Sequence, residues 1–460
     1  MAWQYALSDS VGAGIRYELG TLNSLYVGVG VNVISTNGST AITGSGNNQV
    51  IEIFGAVVGD NGIYWYGTSG TAINIHAGAS VYGYNAGIVA GGVVRLVNDG
   101  DISGHYYGIT IYGNSVTAVN TGSISSDILA LEFYSVTNGV GTEAEAINYG
   151  EIVSATGYAV NGDTNFGDRF LNYGMVTGNV EQGGGDDLLV NRGQITGEVY
   201  IDRSFSGAGT DTVDNRGGRI DGNIYMGGGG DLLDNRGGII NGTAFGEDGA
   251  DYFRPGAGID VFDGGVGNDT LDFRGSSAIA LSLNDSISAT GFAADDTYIG
   301  FESITGSNFD DRLVGNGAGN VLNGANGADQ LGGGNGADTL RGGNGIDELT
   351  GGLGNDRFRF GLLSEIGDTI TDFHKISGDR DRVEISATNF GGGLAAGALS
   401  ADQFRSRADN AAQDADDRFI FRTTDRTLWY DDDGNGAGEA VMIAQFQGAV
   451  SLAAADIVIF

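Results

Sequence analysis

Acidic side chains recur at nine-residue intervals in two glycine-rich blocks of the sequence. The longer block runs from Gly306 to Arg359 and reads as six consecutive units, GSNFDDRLV, GNGAGNVLN, GANGADQLG, GGNGADTLR, GGNGIDELT and GGLGNDRFR. A shorter block, from Gly246 to Asp272, contains three more, GEDGADYFR, PGAGIDVFD and GGVGNDTLD. The sixth positions of these units are Asp251, Asp260, Asp269, Asp311, Asn320, Asp329, Asp338, Asp347 and Asp356.

Carboxylates at this spacing can hold a hard divalent cation. If two units close one coil, each residue lies beside the one two units later, and adjacent parallel strands are about 4.8 Å apart. Aspartates stacked at that distance repel one another unless a cation neutralises them. Glycine turns expose carbonyl oxygens, and a flexible, oxygen-only ligand set suits calcium better than magnesium. The glycines predicted to contribute are Gly264, Gly267, Gly333, Gly336, Gly342, Gly345, Gly351 and Gly354.

The alternative to a metal site is that these units are ordinary turns, because Gly-Asp and Gly-Asn pairs also form turns without a metal. A single unit is explained as well by a turn. Six consecutive units, each with Leu or Phe at its eighth position, favour the metal site. The period also predicts which carboxylates meet, since Asp338 should pair with Asp356 and Asp329 with Asp347, on opposite edges of the roll.

A looser repeat precedes the nine-residue units and predicts the elements that carry them. Segments such as RLVNDGDISG, EAINYGEIVS and LLVNRGQITG align on one asparagine and have alternating apolar residues, as short strands do. Intervals of 19 to 28 residues suit single coils of a β-solenoid. The aligned asparagines, predicted to form a structural ladder, are Asn98, Asn120, Asn148, Asn172, Asn191, Asn215 and Asn235.

Single copies of the nine-residue unit already occur within these upstream coils, with aspartates at Asp187, Asp211 and Asp231. For these single copies the sequence is compatible both with an ordinary turn and with a metal site. The predicted fold class is all-β: a right-handed parallel β-helix running into a calcium β-roll, with a small mixed, β-rich C-terminal cap. The predicted divisions are a parallel solenoid (1–181), a transitional solenoid (182–272), connecting strands (273–305), the β-roll (306–359) and the cap (360–460).

Composition narrows the classes of function. The 460 residues include 85 glycines, one proline and no cysteine, and the formal net charge is −36. Disulfides and zinc–thiolate sites are therefore excluded, and so acidic a chain is not expected to bind nucleic acid. The first residues lack the basic start and apolar stretch of a secretory signal peptide, and no stretch is long and apolar enough for a membrane span.

Residues 246 to 359 resemble the nonapeptide array of RTX (repeats-in-toxin) proteins. The segments GDTITDF (367–373), DRDRVEIS (379–386) and RTLWYDDDGNGAG (426–438) resemble the C-terminal domain of serralysin-type members, and the final DIVIF resembles their uncleaved type I secretion signal. The resemblance implies a Gram-negative bacterial protein, several calcium ions as cofactors, and export through a type I secretion apparatus before calcium-driven folding. Pro255 and Asn320 depart from the repeat pattern.

The N-terminal half carries few signs of catalysis. There is no HExxH or GxSxG motif and no cysteine nucleophile, and the three histidines are far apart. His105, Tyr106 and Tyr107, near Asp99 and Asp101, leave open a β-helical polysaccharide lyase or epimerase. The Asn-x-Gly coils, roughly 30 to 245, resemble autotransporter passenger solenoids instead. That favours an extracellular adhesin-like, surface or matrix protein, with glycans or copies of itself as possible partners. The acidic run at 431–438 lacks the final ligand of an EF-hand and is interpreted as a tight turn.

Overall fold

The computed structural model describes residues 2–20, 23–67, 70–92, 94–113, 116–134, 144–162, 166–203, 209–284 and 288–460. The chain divides into two compact units. The first comprises Met1–Tyr252 and Asp260–Gly267, and the second comprises Phe253–Ile259 and Asn268–Phe460. The strand Tyr252–Arg254 falls across this division. The domain boundaries drawn from the sequence stay a prediction.

The first unit is a solenoid of short parallel strands, with two long walls and a small sheet at one corner. The first wall contains Ala2–Ala6, Asn23–Val27, Val50–Ile53, Thr71–Ile75, Val94–Asn98, Val116–Asn120, Ala144–Asn148, Arg169–Asn172, Leu188–Asn191, Thr212–Asp214 and Leu232–Asp234. The second contains Ser10–Gly12, Tyr17–Leu19, Asn32–Ser35, Ile42–Gly44, Ala56–Tyr66, Ser80–Gly91, Asp101–Gly104, Tyr107–Tyr112, Ser123–Ser126, Leu129–Tyr134, Glu151–Asn161, Met175–Gly183, Gln194–Thr196, Val199–Asp202, Arg219–Asp221, Ile224–Tyr225, Ile239–Ile240, Ala244–Phe245 and Val261–Asp263. The corner sheet contains Gly228–Gly229, Asp248–Gly249 and Val266–Gly267.

Alternating side chains explain why these segments form a solenoid. Leu96 pairs in register with Ile73 on one side and Ala118 on the other, and all three are buried. Neighbouring residues in the same strands point outward, since side chains alternate between faces of a strand. Each coil thus adds one inward residue to a continuous apolar column.

An asparagine ladder lines one turn of the first unit. The side-chain amide of Asn98 donates to Oδ1 of Asn120 at 2.8 Å, and Asn120 donates in turn to Asn148 at 2.8 Å. The series continues through every aligned asparagine to Asn235. All seven side chains are buried, so the ladder satisfies polar groups that would otherwise be costly. The predicted structural ladder is confirmed.

The second unit contains two parallel walls at a shorter repeat. One wall contains Thr270–Asp272, Ser303–Thr305, Val321–Asn326, Thr339–Asn344, Arg357–Phe360, Arg382–Ile385 and Ile457–Ile459, with Gly397–Ala398 antiparallel at its edge. The other contains Ala280–Ser282, Arg312–Val314, Gln330–Asn335, Glu348–Leu353 and Asp368–Asp372, followed by Val441–Phe446, Thr427–Tyr430, Phe419–Arg422 and Phe404–Arg407. Val321 pairs with Thr339, and Gln330 with Glu348, which confirms a coil of two nine-residue units.

The C-terminal part closes the second unit with a mixed sheet. Its antiparallel strands Phe419–Arg422, Thr427–Tyr430 and Val441–Phe446 pack around buried aromatic side chains. A two-stranded hairpin joins Lys375–Ile376 to Asp379–Arg380. Among the described residues the helical segments are short: Gly291–Ala293, Ala387–Phe390, Ala401–Gln403 and Ala454–Asp456. None of the described helices has the length and apolar character to cross a membrane. The predicted fold class is confirmed.

One local prediction is corrected below, while the segment 273–305 contributes strands to both walls. Ala280–Ser282 and Ser303–Thr305 each pair in parallel with strands of the two walls. Only the residues between them form an insertion, and 285–287 lie outside the described residues. The acidic run at 431–438 is not a tight turn. It forms a ten-residue connection, 431–440, between two antiparallel strands.

Candidate metal centres

The sixth-position aspartates of the β-roll form two hydrogen-bonded rows. The backbone N–H of Asp338 donates to Oδ1 of Asp356 at 2.9 Å, and that of Asp329 donates to Oδ1 of Asp347 at 2.8 Å. The same bond joins Asn320 to Asp338 at 2.7 Å and Asp311 to Asp329 at 2.8 Å. The structure therefore places these predicted site residues in the register that the period predicts.

Both rows extend past the last nine-residue unit. Asp347 donates its N–H to Oδ1 of Asp368 at 3.0 Å, and Asp356 donates to Oδ1 of Asp381 at 3.0 Å. Sequence reasoning missed these two carboxylates because they follow after 21 and 25 residues rather than 18. The available signal was an aspartate placed just before alternating apolar residues in DTI and DRV.

In most aspartates of the roll the second carboxylate oxygen, Oδ2, has no hydrogen-bond partner. Oδ2 is buried and has no hydrogen-bond partner in Asp329, Asp338, Asp347 and Asp356, and likewise in Asp368. A buried carboxylate oxygen without a partner is costly. These oxygens therefore need a proton or a cation.

The first glycine of each unit leaves room beside that oxygen. A Cβ atom at Gly324 would lie 2.2 Å from Oδ2 of Asp329 and 2.5 Å from the carbonyl oxygen of Gly342. At Gly333 it would lie 2.3 Å from Oδ2 of Asp338 and 2.5 Å from the carbonyl oxygen of Gly351. In both units the two oxygens are thus at most about 4.8 Å apart, which two calcium–oxygen bonds of 2.3–2.6 Å can span. The donor set is oxygen throughout, so these residues fit calcium.

The fourth glycine of each unit serves the backbone instead. Gly336, Gly345 and Gly354 have φ values of +123°, +151° and +143°. A Cβ at Gly336 would lie 2.3 Å from the carbonyl oxygen of Ala318 in the preceding coil. Side chains are excluded here by conformation and by coil-to-coil approach. Carbonyl exposure to a cation is therefore not the whole reason for glycine in these turns.

In the first two units of the roll, the sixth-position side chains form hydrogen bonds with other groups of the protein. Asp311 accepts a hydrogen bond at Oδ2 from the N–H of Ser307, at 2.6 Å, and one at Oδ1 from the N–H of Ile279, at 2.8 Å. The amide of Asn320 donates to the carbonyl oxygen of Glu302 at 3.1 Å. Asp311 and Asn320 are thus less suited to a cation than the four aspartates that follow.

The shorter block is arranged differently at each predicted residue. Oδ1 of Asp251 accepts the N–H of Asp231 at 2.9 Å, so Asp251 continues an aspartate row. Oδ1 of Asp260 accepts the side-chain amide of Asn235 at 2.7 Å, so Asp260 ends the asparagine ladder. Asp269 lies in the second unit and donates its N–H to Glu302 at 3.0 Å.

The glycines predicted for the shorter block lie at the turn that carries Asp251. The carbonyl oxygen of Gly264 would lie 2.3 Å from a Cβ at Gly246. Gly267 belongs to the corner sheet, where it pairs in parallel with Gly249. Gly264 is therefore brought to the first-position glycine of the unit one coil earlier, as in the roll, and Gly267 to the fourth-position glycine of that unit.

Burial controls the electrostatics of the two rows. Loss of water, together with the charge of neighbouring carboxylates, raises the pKa of Asp329 and Asp338 to about 7. Burial also raises the pKa of Asp347 to about 6 and that of Asp368 to about 8. Without a cation these rows are therefore partly protonated near neutral pH. A divalent ion removes the cost of ionising them.

Comparison with known families agrees with this geometry. The RTX calcium-binding nonapeptide repeat matches four times, at residues 237–275, 296–331, 305–340 and 332–362. The chain carries RTX calcium-binding repeats. Several repeats imply several calcium ions. Among curated proteins, none matches the chain.

An aspartate row also lies upstream of the matched RTX repeats. The N–H of Asp187 donates to Oδ1 of Asp211 at 2.7 Å, and that of Asp211 donates to Oδ1 of Asp231 at 2.9 Å. Oδ2 of all three is buried without a hydrogen-bond partner. Burial raises their pKa values to about 9, 7 and 8 respectively. The first three residues of the unit 206–214 lie outside the described residues.

A fourth carboxylate belongs to the same neighbourhood. Asp202, at the end of the strand Val199–Asp202, is buried, and its Oδ1 has no hydrogen-bond partner. Its negative charge raises the pKa of Asp187, Asp211 and Asp231. The upstream row, like the RTX rows, therefore contains buried carboxylates whose ionisation is costly without a cation.

The candidate catalytic residues of the N-terminal half are not assembled into one site. His105 pairs with Asp127 at 2.6 Å and contacts the rings of Tyr84 and Tyr106. Tyr107 lines a different feature, a cavity of about 350 Å³. Asp99 and Asp101 accept hydrogen bonds from Thr121 and Ser123, one coil away.

Arginines on successive coils of the first unit form a ladder of ion pairs. Arg192 and Arg216 both contact Oδ2 of Asp214 at 2.6 Å, and Arg236 contacts Asp234 at 2.6 Å. Arg216 also approaches Asp234 at 3.8 Å. These contacts are partly exposed, and each adds little stability on its own.

Proposed function

We propose that this protein is exported unfolded through a type I secretion apparatus and folds on extracellular calcium into an adhesin-like, surface or matrix component. The observation that carries the proposal is the buried, unpartnered Oδ2 of Asp329, Asp338, Asp347 and Asp356. Calcium is scarce inside cells and abundant outside, so these carboxylates would be neutralised only after export. We further propose that the row from Asp187 to Asp231 binds calcium in the same way.

Folding and calcium binding are expected to be one event. A site at ten times its dissociation constant adds about 1.4 kcal/mol to the folded state by mass action. Four such sites would add roughly 6 kcal/mol if they were independent, comparable to the stability of an ordinary domain. A chain without calcium would therefore stay open enough to pass through a narrow channel.

The position of the proposed secretion signal supports this order of events. The strand Ile457–Ile459 pairs in parallel with Arg382–Ile385, and Ile457 and Asp456 are fully buried. Phe460 lies against the guanidinium of Arg359, at 3.9 Å from the ring centroid. A signal buried in this way is readable only before the chain folds.

Exposed aromatic side chains support a role in surface contact. Tyr149 and Tyr173, on successive coils, stack at 5.0 Å and are about half exposed. Trp3, Tyr5, Tyr26, Phe54 and His76 form a longer aromatic series on the same unit. Aromatic faces are enriched where proteins meet partners that offer both apolar and polar groups. Extracellular glycans, or further copies of this chain, fit that description.

The lyase or epimerase alternative has weaker support. The cavity that contains Tyr107 is also lined by Tyr64, Tyr66, Tyr112 and Glu132. No basic side chain is among its described lining residues, and a uronate substrate would need one to neutralise its carboxylate. We therefore propose a binding and structural role.

Refolding of the full chain tests the proposal. The chain is diluted from urea into calcium, magnesium or a calcium chelator, and far-ultraviolet circular dichroism is recorded. We expect the β-solenoid spectrum of the second unit only in calcium. An unchanged spectrum in chelator would contradict calcium-driven folding.

Surface function is tested separately, on calcium-loaded protein. Binding to a glycan array is compared for the native chain, for a variant with Tyr149→Ala and Tyr173→Ala, and for Val29→Ala as an exposed apolar control. We expect only the tyrosine variant to lose binding. Equal binding by all three would exclude this aromatic pair as the contact surface.

A further inference from the structure

A histidine and two aspartates meet at the base of the hairpin in the second unit. His374 directly precedes the strand Lys375–Ile376, and Asp379 and Asp381 lie in and just after its partner Asp379–Arg380. One donor atom from each of the three side chains lies within 4.8 Å of the others. The hairpin pairing brings together residues that a single strand would hold apart.

Two of these donor atoms are buried without a hydrogen bond. Nδ1 of His374 and Oδ1 of Asp379 are 3.2 Å apart, yet neither has a hydrogen-bond partner. Asp379 is 8% exposed, whereas the side chain of His374 is 39% exposed. Buried polar atoms without a hydrogen bond are uncommon in native proteins, and a cation bound between these two atoms would satisfy both.

The third carboxylate is held in a fixed orientation by the backbone. Asp381 accepts hydrogen bonds from the N–H of His374 at 2.6 Å and from the N–H of Asp356 at 3.0 Å. Carboxylate oxygens that accept hydrogen bonds still have lone pairs for a metal. Such supporting hydrogen bonds orient the ligands in protein metal sites.

A further carboxylate adds negative charge near the cluster. Asp356, a member of the aspartate row, interacts electrostatically with both Asp379 and His374. The hairpin's own cations do not neutralise the cluster, since Lys375 and Arg380 both pair with Asp456, at 2.6 and 3.5 Å. A positive ion is therefore missing from the group.

We propose that His374, Asp379 and Asp381 form a transition-metal site that prefers zinc-like ions to calcium. Imidazole nitrogen is a ligand for zinc, copper, nickel and iron, whereas calcium takes oxygen. Ligands at about 2.0 Å in a tetrahedral site lie about 3.3 Å apart, close to the spacing of His374 and Asp379. The row Asn320–Asp338–Asp356–Asp381 thus ends on a site of different metal preference.

The site would close the roll at its C-terminal end. Asp381 is the last member of its row, and the strand Arg382–Ile385 that follows pairs with Arg357–Phe360. A bound ion would fix the hairpin to the last coil. The inference goes beyond calcium-driven folding and does not depend on it.

Metal content measured on the full chain tests the proposal. Protein folded in excess calcium is equilibrated with Zn²⁺, passed through a desalting column and analysed for bound metal by mass spectrometry. We expect one Zn²⁺ per chain in addition to calcium, and none in His374→Ala. The control is His76→Ala, because His76 is already bonded to Glu52 at 2.6 Å and stacked on Phe54. Equal zinc in all three proteins would overturn the proposal.

A change of ligand type gives a second, independent test. His374→Asp makes the ligand set entirely oxygen, so this variant should lose Zn²⁺ and gain one Ca²⁺. Cobalt supplies a spectroscopic readout on the native chain that does not depend on any variant folding. A tetrahedral Co²⁺ site gives strong visible absorption, and its absence at one equivalent would count against the site, as would zinc retained by His374→Asp.

Discussion

Asp338 and Asp356 lie on consecutive coils of the roll, and the backbone N–H of Asp338 donates a 2.9 Å hydrogen bond to Oδ1 of Asp356. One carboxylate oxygen therefore holds the coils together, and the other is left buried and free of hydrogen bonds. A single side chain thus combines a structural role with a metal-binding one. Substitutions that keep the first role and remove the second separate them.

Asp338→Asn is expected to impair calcium binding with little effect on the calcium-free state. Asparagine retains the oxygen that accepts the N–H of Asn320, but it carries no charge. At tenfold excess calcium, loss of one site removes about 1.4 kcal/mol of stability. Urea denaturation at saturating and at limiting calcium measures the difference. Glu348→Gln, an exposed residue of the same roll, is the control and should behave as the native chain.

The pH dependence of stability should reverse when calcium is removed. The folded-state pKa values of Asp329 and Asp338, about 7, and of Asp368, about 8, lie above their ordinary value. Groups with raised pKa values stabilise the fold at low pH, and that contribution is lost as pH rises through about 6 to 8. In chelator, protons should therefore partly replace calcium: the second unit should gain β-structure and a urea midpoint near pH 5, and both should be lost by about pH 8.

Saturating calcium should give the opposite slope, since calcium competes with protons for the same oxygens. Asp214 contributes in the same direction with and without calcium. Burial opposes its ionisation, but hydrogen bonds from Arg216 and Arg192 lower its pKa overall, so its contribution is lost only on acidification below its ordinary value. Midpoints that do not change with pH in chelator would mean that the rows are not partly protonated.

Glycine at the fourth position should be required whether or not calcium is present. Gly336→Ala would place a Cβ 2.3 Å from the carbonyl oxygen of Ala318 at a φ of +123°. Overpacking of this kind costs about 3 kcal/mol. Gly317→Ala is the matched control, since no atom lies within 4 Å of its Cβ position. Thermal unfolding in calcium should show a large loss for Gly336→Ala alone.

The sequence predicts most of the roll because one period determines everything in it. Two nine-residue units per coil place Asp338 beside Asp356. They also bury the residue at the eighth position of each unit, from Leu313 to Phe358. The asparagine ladder follows for the same reason, since one side chain repeats once per coil. Periodic features need no knowledge of tertiary contacts.

Features outside the period escape prediction. Asp368 and Asp381 join the rows only because the intervening chain loops out and returns, and no spacing reveals this. Asp260 ends the asparagine ladder because its Oδ1 accepts a hydrogen bond from the side-chain amide of Asn235. The cluster of His374 with Asp379 and Asp381 depends on a hairpin of two residues per strand. These contacts form where the chain reverses direction or loops out, so the repeat period does not predict them.

The upstream row supplies the sharpest test of how far calcium binding extends. Asp211→Asn keeps the acceptor for the N–H of Asp187 at 2.7 Å and removes the charge from a side chain that is fully buried. We expect the variant to be at least as stable as the native chain in chelator, because a neutral amide avoids the cost of a buried carboxylate. We expect it to bind fewer calcium ions than the native chain, and to gain less stability from calcium.

The control for the upstream row is Asp186→Asn, which removes the same charge from an exposed side chain whose Oδ1 accepts the N–H of Thr210 at 2.8 Å. Bound calcium per chain is measured by equilibrium dialysis against labelled calcium. If Asp211→Asn and Asp186→Asn both retain the full number of ions, the upstream row is a protonated structural ladder. A loss confined to Asp211→Asn extends the calcium sites into the first unit, beyond the residues that match the RTX repeat.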